Sequence, residues 1–303
     1  MVPEIKKISS QKEKDIRQSS RFALFMSRIS WQTEKFNGNY VYLKRFPLVG
    51  FFAKMPRPRG NFSGEHIKSF IKDNRIFRFK ISPYIRVSGK KYEIVRKDLF
   101  KSGFKIDKEP FNPTTTLTVD LTGREEEIFR SFREAKRRGV RRAIKNGVTA
   151  QVSDKIEEFI RIRQAQFKPM GFLITREMIC LWESFYPGSC DLLLAKSSNN
   201  EYLAGILLLY HKSLAYYWYA ASTMTGKKLF APTLLVFEAV KQAKKRGAKI
   251  LDFEGIYDER FPKASQNWRG FTKFKEGFSD NKKVFAENFY FNALKPAILG
   301  NIW

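Results

Sequence analysis

The sequence predicts a mixed α/β protein with two domains. Apolar alternation predicts strands at residues 40–44, 48–55, 75–81, 115–119, 192–196, 203–210, 214–221 and 249–254. Apolar spacing of three to four residues predicts helices at residues 65–73, 124–146, 154–168, 175–185 and 233–246. Helices that alternate with strands are typical of α/β folds. The length of 303 residues is about twice the common domain size of roughly 150, which favours two domains.

The helix at 233–246 has clear boundary signals. Pro232 suits the first turn of a helix, and a basic run at 244–246 precedes Gly247, which suits a helix end. Leu234, Leu235, Ala239 and Ala243 form one apolar face. This pattern predicts a buried crossover helix that leads into the strand at 249–254.

Asp252 and Glu254 lie at the carboxyl end of that last strand. Ligands of α/β sheets usually bind at this end of the strands. The two carboxylates are therefore candidates for a binding site. They are equally well explained as partners of neighbouring cations, and both interpretations stay open.

The most basic segment spans residues 130–145, where eight of sixteen side chains are Lys or Arg. Its apolar residues form one stripe, which predicts a helix with one packed face and one cationic face. Such a face can be merely solvated. The density of guanidinium groups makes phosphate binding an equal alternative.

The overall charge points to anionic partners. The chain has 57 Lys and Arg against 30 Asp and Glu, a net charge of +27, which suits nucleic acid, an anionic membrane or phosphorylated metabolites. The first twenty residues lack an apolar core and predict a frayed start rather than a signal peptide. The longest apolar run, at 202–210, is too short to span a bilayer, which needs about 20 residues. A soluble, cytoplasmic protein is expected, with peripheral contact to the inner membrane face as a further option.

Several kinds of chemistry are disfavoured by the residues. His66 and His211 have no Cys or His in ligand spacing, so neither a zinc site nor a catalytic triad is expected. Cys180 and Cys190 are expected to be reduced thiols. No phosphate-binding P-loop or dinucleotide fingerprint occurs. The run at 223–228 also lacks the [QR]-x-x-G-x-[GA] loop that binds coenzyme A in acetyltransferases, so no cofactor is expected.

Three blocks in the second half resemble the Fem family (FemA, FemB and FemX). They are residues 229–247, the DFEGI run at 252–256 and the GFTKFKEGF run at 270–278. The Pro58-Arg59-Gly60 run, the LFKSGF run at 99–104 and the basic helix agree with the family in the first half. The resemblance covers about residues 30–278, and no heptad-rich insertion interrupts it, as in the compact, FemX-like branch.

This resemblance implies two tandem acetyltransferase-like (GNAT-like) domains that do not use coenzyme A. The first domain is expected at 1–142 plus 286–303, and the second at 143–285. The implied activity is transfer of an amino acid from aminoacyl-tRNA to the stem peptide of a peptidoglycan precursor. Lipid II and UDP-MurNAc-pentapeptide are both candidate acceptors, and the implied partners include no metal.

The resemblance also assigns residues to roles. Lys275 matches the lysine of the family motif, placed to stabilise the tetrahedral intermediate or the tRNA terminus, with Phe274 packing beside it. The pattern alone favours a lysine that extends along Phe274 and Phe278 to solvent, and the match to the family motif reverses this preference. Residues that match precursor-contacting positions are Lys35, Arg176 and Tyr219. The candidates for tRNA contact are Arg137, Arg138, Arg141 and Arg142.

Two positions depart from the family pattern. Ser82 stands where the family tends to have an acidic residue before proline, so no general base is evident there. Gly139 replaces the usual Asn in the basic helix. Two rival functions therefore stay open, an acyl-CoA N-acyltransferase of the same fold and a non-enzymatic protein that binds RNA or an anionic surface.

Overall fold

The computed structural model describes residues 15–60, 63–166 and 173–293. The strands in this part of the chain are β1 (Gln32–Phe36), β2 (Asn39–Phe46), β3 (Gly50–Pro56), β4 (Ile76–Ser82), β5 (Lys105–Ile106), β6 (Thr115–Asp120), β7 (Thr149–Ser153), β8 (Cys190–Lys196), β9 (Tyr202–His211), β10 (Leu214–Ser222), β11 (Ile250–Gly255), β12 (Lys282–Val284) and β13 (Phe289–Asn292). The helices are α1 (Ser20–Arg28), α2 (Gly64–Asp73), α3 (Lys90–Lys101), α4 (Glu125–Ser131), α5 (Glu134–Lys145), α6 (Ile156–Gln166), α7 (Thr175–Phe185), α8 (Met224–Lys228), α9 (Ala231–Lys245), α10 (Pro262–Ser265) and α11 (Arg269–Lys275).

The strands form two mixed sheets. The first has the order β1-β2-β3-β4-β13-β5, and the second has the order β12-β6-β11-β10-β9-β8-β7. The β3–β4 and β10–β11 pairs are parallel, and the other named pairs are antiparallel. The prediction of a mixed α/β fold is confirmed.

Strand pairing divides the chain earlier than the expected boundary at residue 142. The strand β6, which begins at Thr115, pairs with β11 and β12 in the second sheet. The strand β13 pairs with β4 and β5 in the first sheet, while residues 294–303 of the expected first domain lie outside the described residues. We therefore propose that the second unit begins near Thr115, so that β6, α4 and α5 belong to it.

The predicted basic helix is interrupted. Phe132 and Arg133 have extended backbones, and they separate α4 from α5. The Arg133 N–H donates to the carbonyl of Gly277 at 2.9 Å, and the Phe132 ring packs edge-on against Phe278 with the ring centroids 5.1 Å apart. These tertiary contacts override the helical periodicity of the segment, which indicated one continuous helix.

The start of the described chain is packed rather than frayed. Ile16, Arg17 and Gln18 form a buried 3-10 turn, and α1 follows it. The Gln18 side-chain amide donates to the carbonyls of Tyr40 and Pro56. The expectation of a frayed start is therefore wrong for residues 15–20, and residues 1–14 lie outside the described part.

Helix α9 packs across the second sheet and lies close to α5. Its buried side chains include Leu234, Leu235 and Ala239, as its apolar face predicted. A Cβ atom at Gly139 would lie 3.0 Å from Thr233 Cγ2, so glycine there permits the close approach of the two helices. The departure from the family residue at this position thus has a packing role.

Other expectations concern thiols and membrane spans. Cys180 and Cys190 are free thiols. Among the described residues, no helix combines the length and the apolar character that crossing a bilayer requires.

Candidate active site

A cavity opens where two parallel strands of the second sheet separate. The β10–β11 pairing ends at Tyr216 and Asp252, and residues from both strands beyond that point line a cavity of about 870 Å³. Trp218 interrupts the β9–β10 register, and the β6–β11 register shifts between Asp252 and Gly255. Parallel strands that diverge at their carboxyl ends leave a crevice, which is the usual ligand site of such sheets.

The cavity combines aromatic walls with excess positive charge. Its aromatic lining residues are Tyr217, Trp218, Tyr219, Phe230, Trp268, Phe271 and Phe274. Among the described residues, its charged lining side chains are the cations Arg17, Lys136, Arg163, Lys227 and Lys275 and the carboxylate Glu254. Such a lining suits a ligand that has both planar rings and negative charge.

Lys275 lies on the wall of this cavity. It ends α11, and its Nζ donates a hydrogen bond of 2.7 Å to the carbonyl oxygen of Gly255. Burial lowers the pKa of the Lys275 ammonium to about 8, and the nearby charges of Glu254 and Asp252 act in the opposite direction. The side chain therefore does not simply extend along Phe274 and Phe278 to solvent.

Glu254 is held by a residue from the start of the chain. Arg17 Nη2 donates to Glu254 Oε2 at 2.6 Å, and Nη1 lies 3.3 Å from Oε1. The same guanidinium group stacks over the Trp218 ring, 4.6 Å from its centroid, and also pairs with Asp15. Glu254 has a positive φ of 59°, and this left-handed backbone accompanies the register shift in β11.

Asp252 lies behind the cavity wall. Its carboxylate accepts hydrogen bonds from the Thr116 hydroxyl and from the backbone N–H of Glu254. Burial raises the pKa of Asp252 to about 6, and the charge of Glu254 adds to the rise. Of the two carboxylates, Glu254 both lines the cavity and pairs with a cation. For this residue, a place in a binding site and a role as partner of a neighbouring cation are therefore compatible.

The residues expected to contact the precursor separate into two groups. Tyr219 lines the cavity, where the Arg163 guanidinium lies 4.2 Å from its ring centroid and its hydroxyl donates to Glu177 at 3.1 Å. Lys35, exposed on β1, and Arg176, exposed on α7, are outside the cavity lining. Arg176 precedes Glu177, which accepts the hydrogen bond of the Tyr219 hydroxyl.

The four arginines suggested for tRNA contact also differ from one another. Arg137 is turned inward, because its Nη1 donates to the carbonyls of Arg130 and Phe132 and its Nη2 pairs with Glu134. Arg138, Arg141 and Arg142 are exposed on α5. Arg142 lies 5.7 Å from the ring centroid of Phe230, which lines the cavity.

Ser82 provides no acid or base at its position. The residue is completely buried, and its hydroxyl oxygen has no hydrogen-bond partner among the described residues. The absence of an evident general base there, expected from the sequence, therefore extends to the structure.

Sequence reasoning missed several residues of this site. The first twenty residues predict a frayed start, which hides Arg17, although Ile16 and Phe22 supply apolar anchors in this segment. The sequence groups Lys136 with the cationic face of the basic segment, for which solvation and phosphate binding are equal alternatives. Its position, three and four residues before Gly139 and Val140 on the packed side of α5, is the signal that distinguishes it from its basic neighbours.

The FemAB family model matches residues 190–289, a range that contains Tyr219, Glu254, Phe274 and Lys275. Over this range the chain is similar to the FemAB family. The chain is 24% identical over 287 residues to the lipid II:glycine glycyltransferase of Staphylococcus haemolyticus, in a match that covers 70% of this chain and 67% of the relative. The corresponding enzyme of Staphylococcus epidermidis is 23% identical over 264 residues, with 63% and 62% covered. The chain thus spans about two thirds of the length of these relatives.

Solved structures agree with the FemAB fold. The crystal structure of FemX has a TM-score of 0.75 at 17% identity and covers 97% of this chain and 96% of its own. This coverage agrees with the expected compact, FemX-like chain. A tandem GNAT protein from the clavulanic acid biosynthesis pathway has a TM-score of 0.54 at 7% identity, covering 86% and 82%. The predicted GNAT-like fold is confirmed.

Proposed function

We propose that the protein is an aminoacyltransferase that moves an amino acid from aminoacyl-tRNA to the stem peptide of a peptidoglycan precursor. The match of residues 190–289 to the FemAB family model supports the reaction class. The relatives named lipid II:glycine glycyltransferase support glycine as the transferred residue and lipid II as the acceptor. A lipid-linked acceptor would bring the protein to the inner face of the membrane.

The single observation that carries this proposal is the composition of the cavity around Lys275. Aromatic walls can stack against the base at the end of a nucleic acid, and cationic side chains can bind its phosphates. Within the part of the chain that the structure describes, five cationic side chains and one carboxylate line the cavity, and that carboxylate is paired with Arg17. The exposed Arg138, Arg141 and Arg142 on α5 extend the positive surface away from it.

The proposed chemistry needs no covalent nucleophile from the protein, because the aminoacyl ester is already activated. The acceptor amine attacks the ester carbonyl, a C–N bond forms, and the C–O bond to the ribose breaks. The proton released by the amine leaves with the ribose oxygen. The contribution of the protein is to position the two substrates and to stabilise the oxyanion of the tetrahedral intermediate.

In this scheme Lys275 is the oxyanion-stabilising cation. Its ammonium is held at the cavity wall by the carbonyl of Gly255, and it keeps N–H groups that can turn toward a ligand. Phe274 precedes it on α11 and packs against Phe278, with the ring centroids 5.2 Å apart. In the same scheme Tyr219, which lines the cavity from β10, orients the acceptor peptide.

The test is transfer in a purified system. The protein is incubated with glycyl-tRNA and either lipid II or UDP-MurNAc-pentapeptide, and the precursor is then analysed by mass spectrometry. We expect the mass of the acceptor to rise by one or more glycine residues, with lipid II as the preferred acceptor. Absence of transfer with both acceptors, across a panel of aminoacyl-tRNAs, would contradict the proposal. Tight binding of coenzyme A would instead favour the acyl-CoA transferase.

A further inference from the structure

Lys136 occupies an unusual position for a cation on α5. It lies at the spacing of Gly139, Val140 and Ala143, which are buried and form the packed side of the helix. It is half-buried and lines the cavity, whereas Arg138 and Arg141 of the same helix are exposed. Lys136 is thus directed toward the candidate site rather than toward bulk solvent.

The contacts of Lys136 are with aromatic rings and backbone. Its Nζ lies 4.0 Å from the ring centroid of Phe274 and 5.1 Å from that of Phe278. Its aliphatic stem crosses Gly277, where an added Cβ atom would overlap Cε and lie 2.7 Å from Cγ. Glycine at 277 therefore allows the stem of Lys136 to reach across the FKEGF motif.

This ammonium has no anionic partner within the described part of the chain. Neither a salt bridge nor a side-chain hydrogen bond involves Lys136 there. Burial alone lowers the pKa of its ammonium to about 8. A desolvated cation without a counter-ion is unfavourable, so an anionic ligand at this place would gain binding energy from it.

We propose that Lys136 is a phosphate-binding residue that holds a phosphodiester of the nucleic-acid donor at the mouth of the cavity. This inference rests on the proposed function and adds a ligand contact to it. The donor is favoured because Lys136 shares α5 with the exposed arginines, and Arg142 lies about 9 Å further along the helix at 1.5 Å per residue. A strand bound along α5 can reach Lys136 as it enters the cavity.

Lys136 and Lys275 are expected to act differently. Lys275 donates to the carbonyl of Gly255 and has two carboxylates nearby, so it is fixed close to where the ester carbonyl would lie. Lys136 has ring faces as its neighbours, with its Nζ 4.0 Å from the ring centroid of Phe274 and 5.1 Å from that of Phe278. Loss of Lys136 should therefore raise the KM for the donor and leave kcat nearly unchanged.

The first test is direct binding of an RNA hairpin that has a single-stranded 3′ end. Lys136→Met should fold normally, because methionine suits a site between aromatic rings, and its urea unfolding curve checks this. We expect its Kd for the hairpin to rise about tenfold and the slope of log K against log salt to fall in magnitude by about one. Lys155→Met, the same substitution at an exposed lysine outside α5, should leave both values unchanged.

A second perturbation identifies the phosphate. A hairpin with a neutral methylphosphonate at its last linkage should bind the wild-type protein more weakly than the unmodified hairpin does. Lys136→Met should cause no further loss of affinity for this modified hairpin, because the two changes remove the same contact. Gly277→Ala, which displaces the lysine stem, should weaken binding in the same direction. Additive losses from the methylphosphonate and Lys136→Met would overturn the proposed contact.

The acceptor is the competing source of phosphate. If Lys136→Met weakens binding of UDP-MurNAc-pentapeptide and leaves the hairpin unaffected, the assignment to the donor is wrong. These binding measurements need no transfer reaction. RNA binding that depends on Lys136, in a protein that shows no transfer, would therefore reject the proposed function and keep this inference. Transfer by Lys136→Met with an unchanged KM for the donor would keep the proposed function and reject this inference.

Discussion

The Nζ atom of Lys275 lies 2.7 Å from the carbonyl oxygen of Gly255, and this hydrogen bond joins α11 to the carboxyl end of β11. One N–H of the ammonium is thus used to fix the side chain, and the others stay available to a ligand. The arrangement holds a cation of α11 at the carboxyl end of β11, near Glu254 and 5.8 Å from the ring centroid of Tyr217. Preorganised charge of this kind is most effective where water is excluded.

Replacement of Lys275 should slow the reaction without unfolding the protein. Lys275→Met is expected to lower kcat by about 10²–10³-fold, the usual effect of removing one oxyanion donor. Single-turnover transfer of glycine to lipid II measures this loss, and circular dichroism monitors the fold. Lys273→Met, at an exposed lysine on the same helix, should retain the wild-type rate. Equal rates for the two variants would exclude the proposed role of Lys275.

The pH dependence of transfer should report on the same ammonium group. Because burial lowers the pKa of Lys275 to about 8, its charged form is lost as the pH rises through that value, and the rate should then fall. Lys275→Arg stays charged over this range, so its rate should show no such fall, even if it is lower overall. The transfer rates of the two proteins are compared between pH 6 and pH 10, and blanks in buffer without protein correct for hydrolysis of the ester. An identical alkaline decrease in both would assign the ionisation to another group.

The Arg17–Glu254 ion pair should contribute strongly to stability. The two side chains are only 9% and 16% exposed, so Arg17→Met leaves a largely buried carboxylate without its partner. We expect the free energy of unfolding to fall by about 3 kcal/mol. Adding Glu254→Gln should recover part of this loss, because the unpaired charge is removed. Urea titration of both single variants and the double variant gives the coupling energy, and a change below about 0.5 kcal/mol in Arg17→Met would contradict the prediction.

Gly226 should be required for packing rather than for ligand binding. It belongs to the run that was compared with phosphate loops, but a Cβ atom at this position would overlap the carbonyl oxygen of Leu203. Gly226→Ala is therefore expected to destabilise the protein by about 1–3 kcal/mol. Gly270→Ala, which has open space around the new Cβ and lies in α11, should be neutral or stabilising. Thermal unfolding of the two variants distinguishes these outcomes, and a stable Gly226→Ala protein would show that α8 can shift away from β9.

Local sequence patterns were sufficient to predict α9 and the strands β8 to β11 of the second sheet. Pro232 and the basic last turn fixed the ends of α9 to within two residues, and the strands β8 to β11 matched their apolar alternation closely. These elements bury continuous apolar faces, so periodicity and burial agree. The family motif likewise led to Lys275, which the structure places at the cavity.

Non-local contacts explain what the sequence did not reveal. The break between α4 and α5 depends on Gly277, more than 140 residues away from Arg133. Arg17 is recognisable only through its pairing with Glu254 across 237 positions. Short strands such as β5 and β13 carry too few residues to show alternation, and their existence depends on mutual pairing. Sequence reasoning thus led to Lys275, Phe274, Tyr219 and Glu254 but not to Arg17 and Lys136, which line the same cavity.

The insertion of β13 between β4 and β5 sets an order for folding during translation. The second sheet has all its strands once residue 284 has left the ribosome, whereas the first sheet must wait for residues 289–292. The first sheet, whose synthesis starts earlier, is thus completed after the second sheet. This is the reverse of the usual order, in which the N-terminal unit folds first during synthesis. Until then β4 and β5 lack the strand that lies between them, so their facing edges have unpaired backbone groups in the nascent chain.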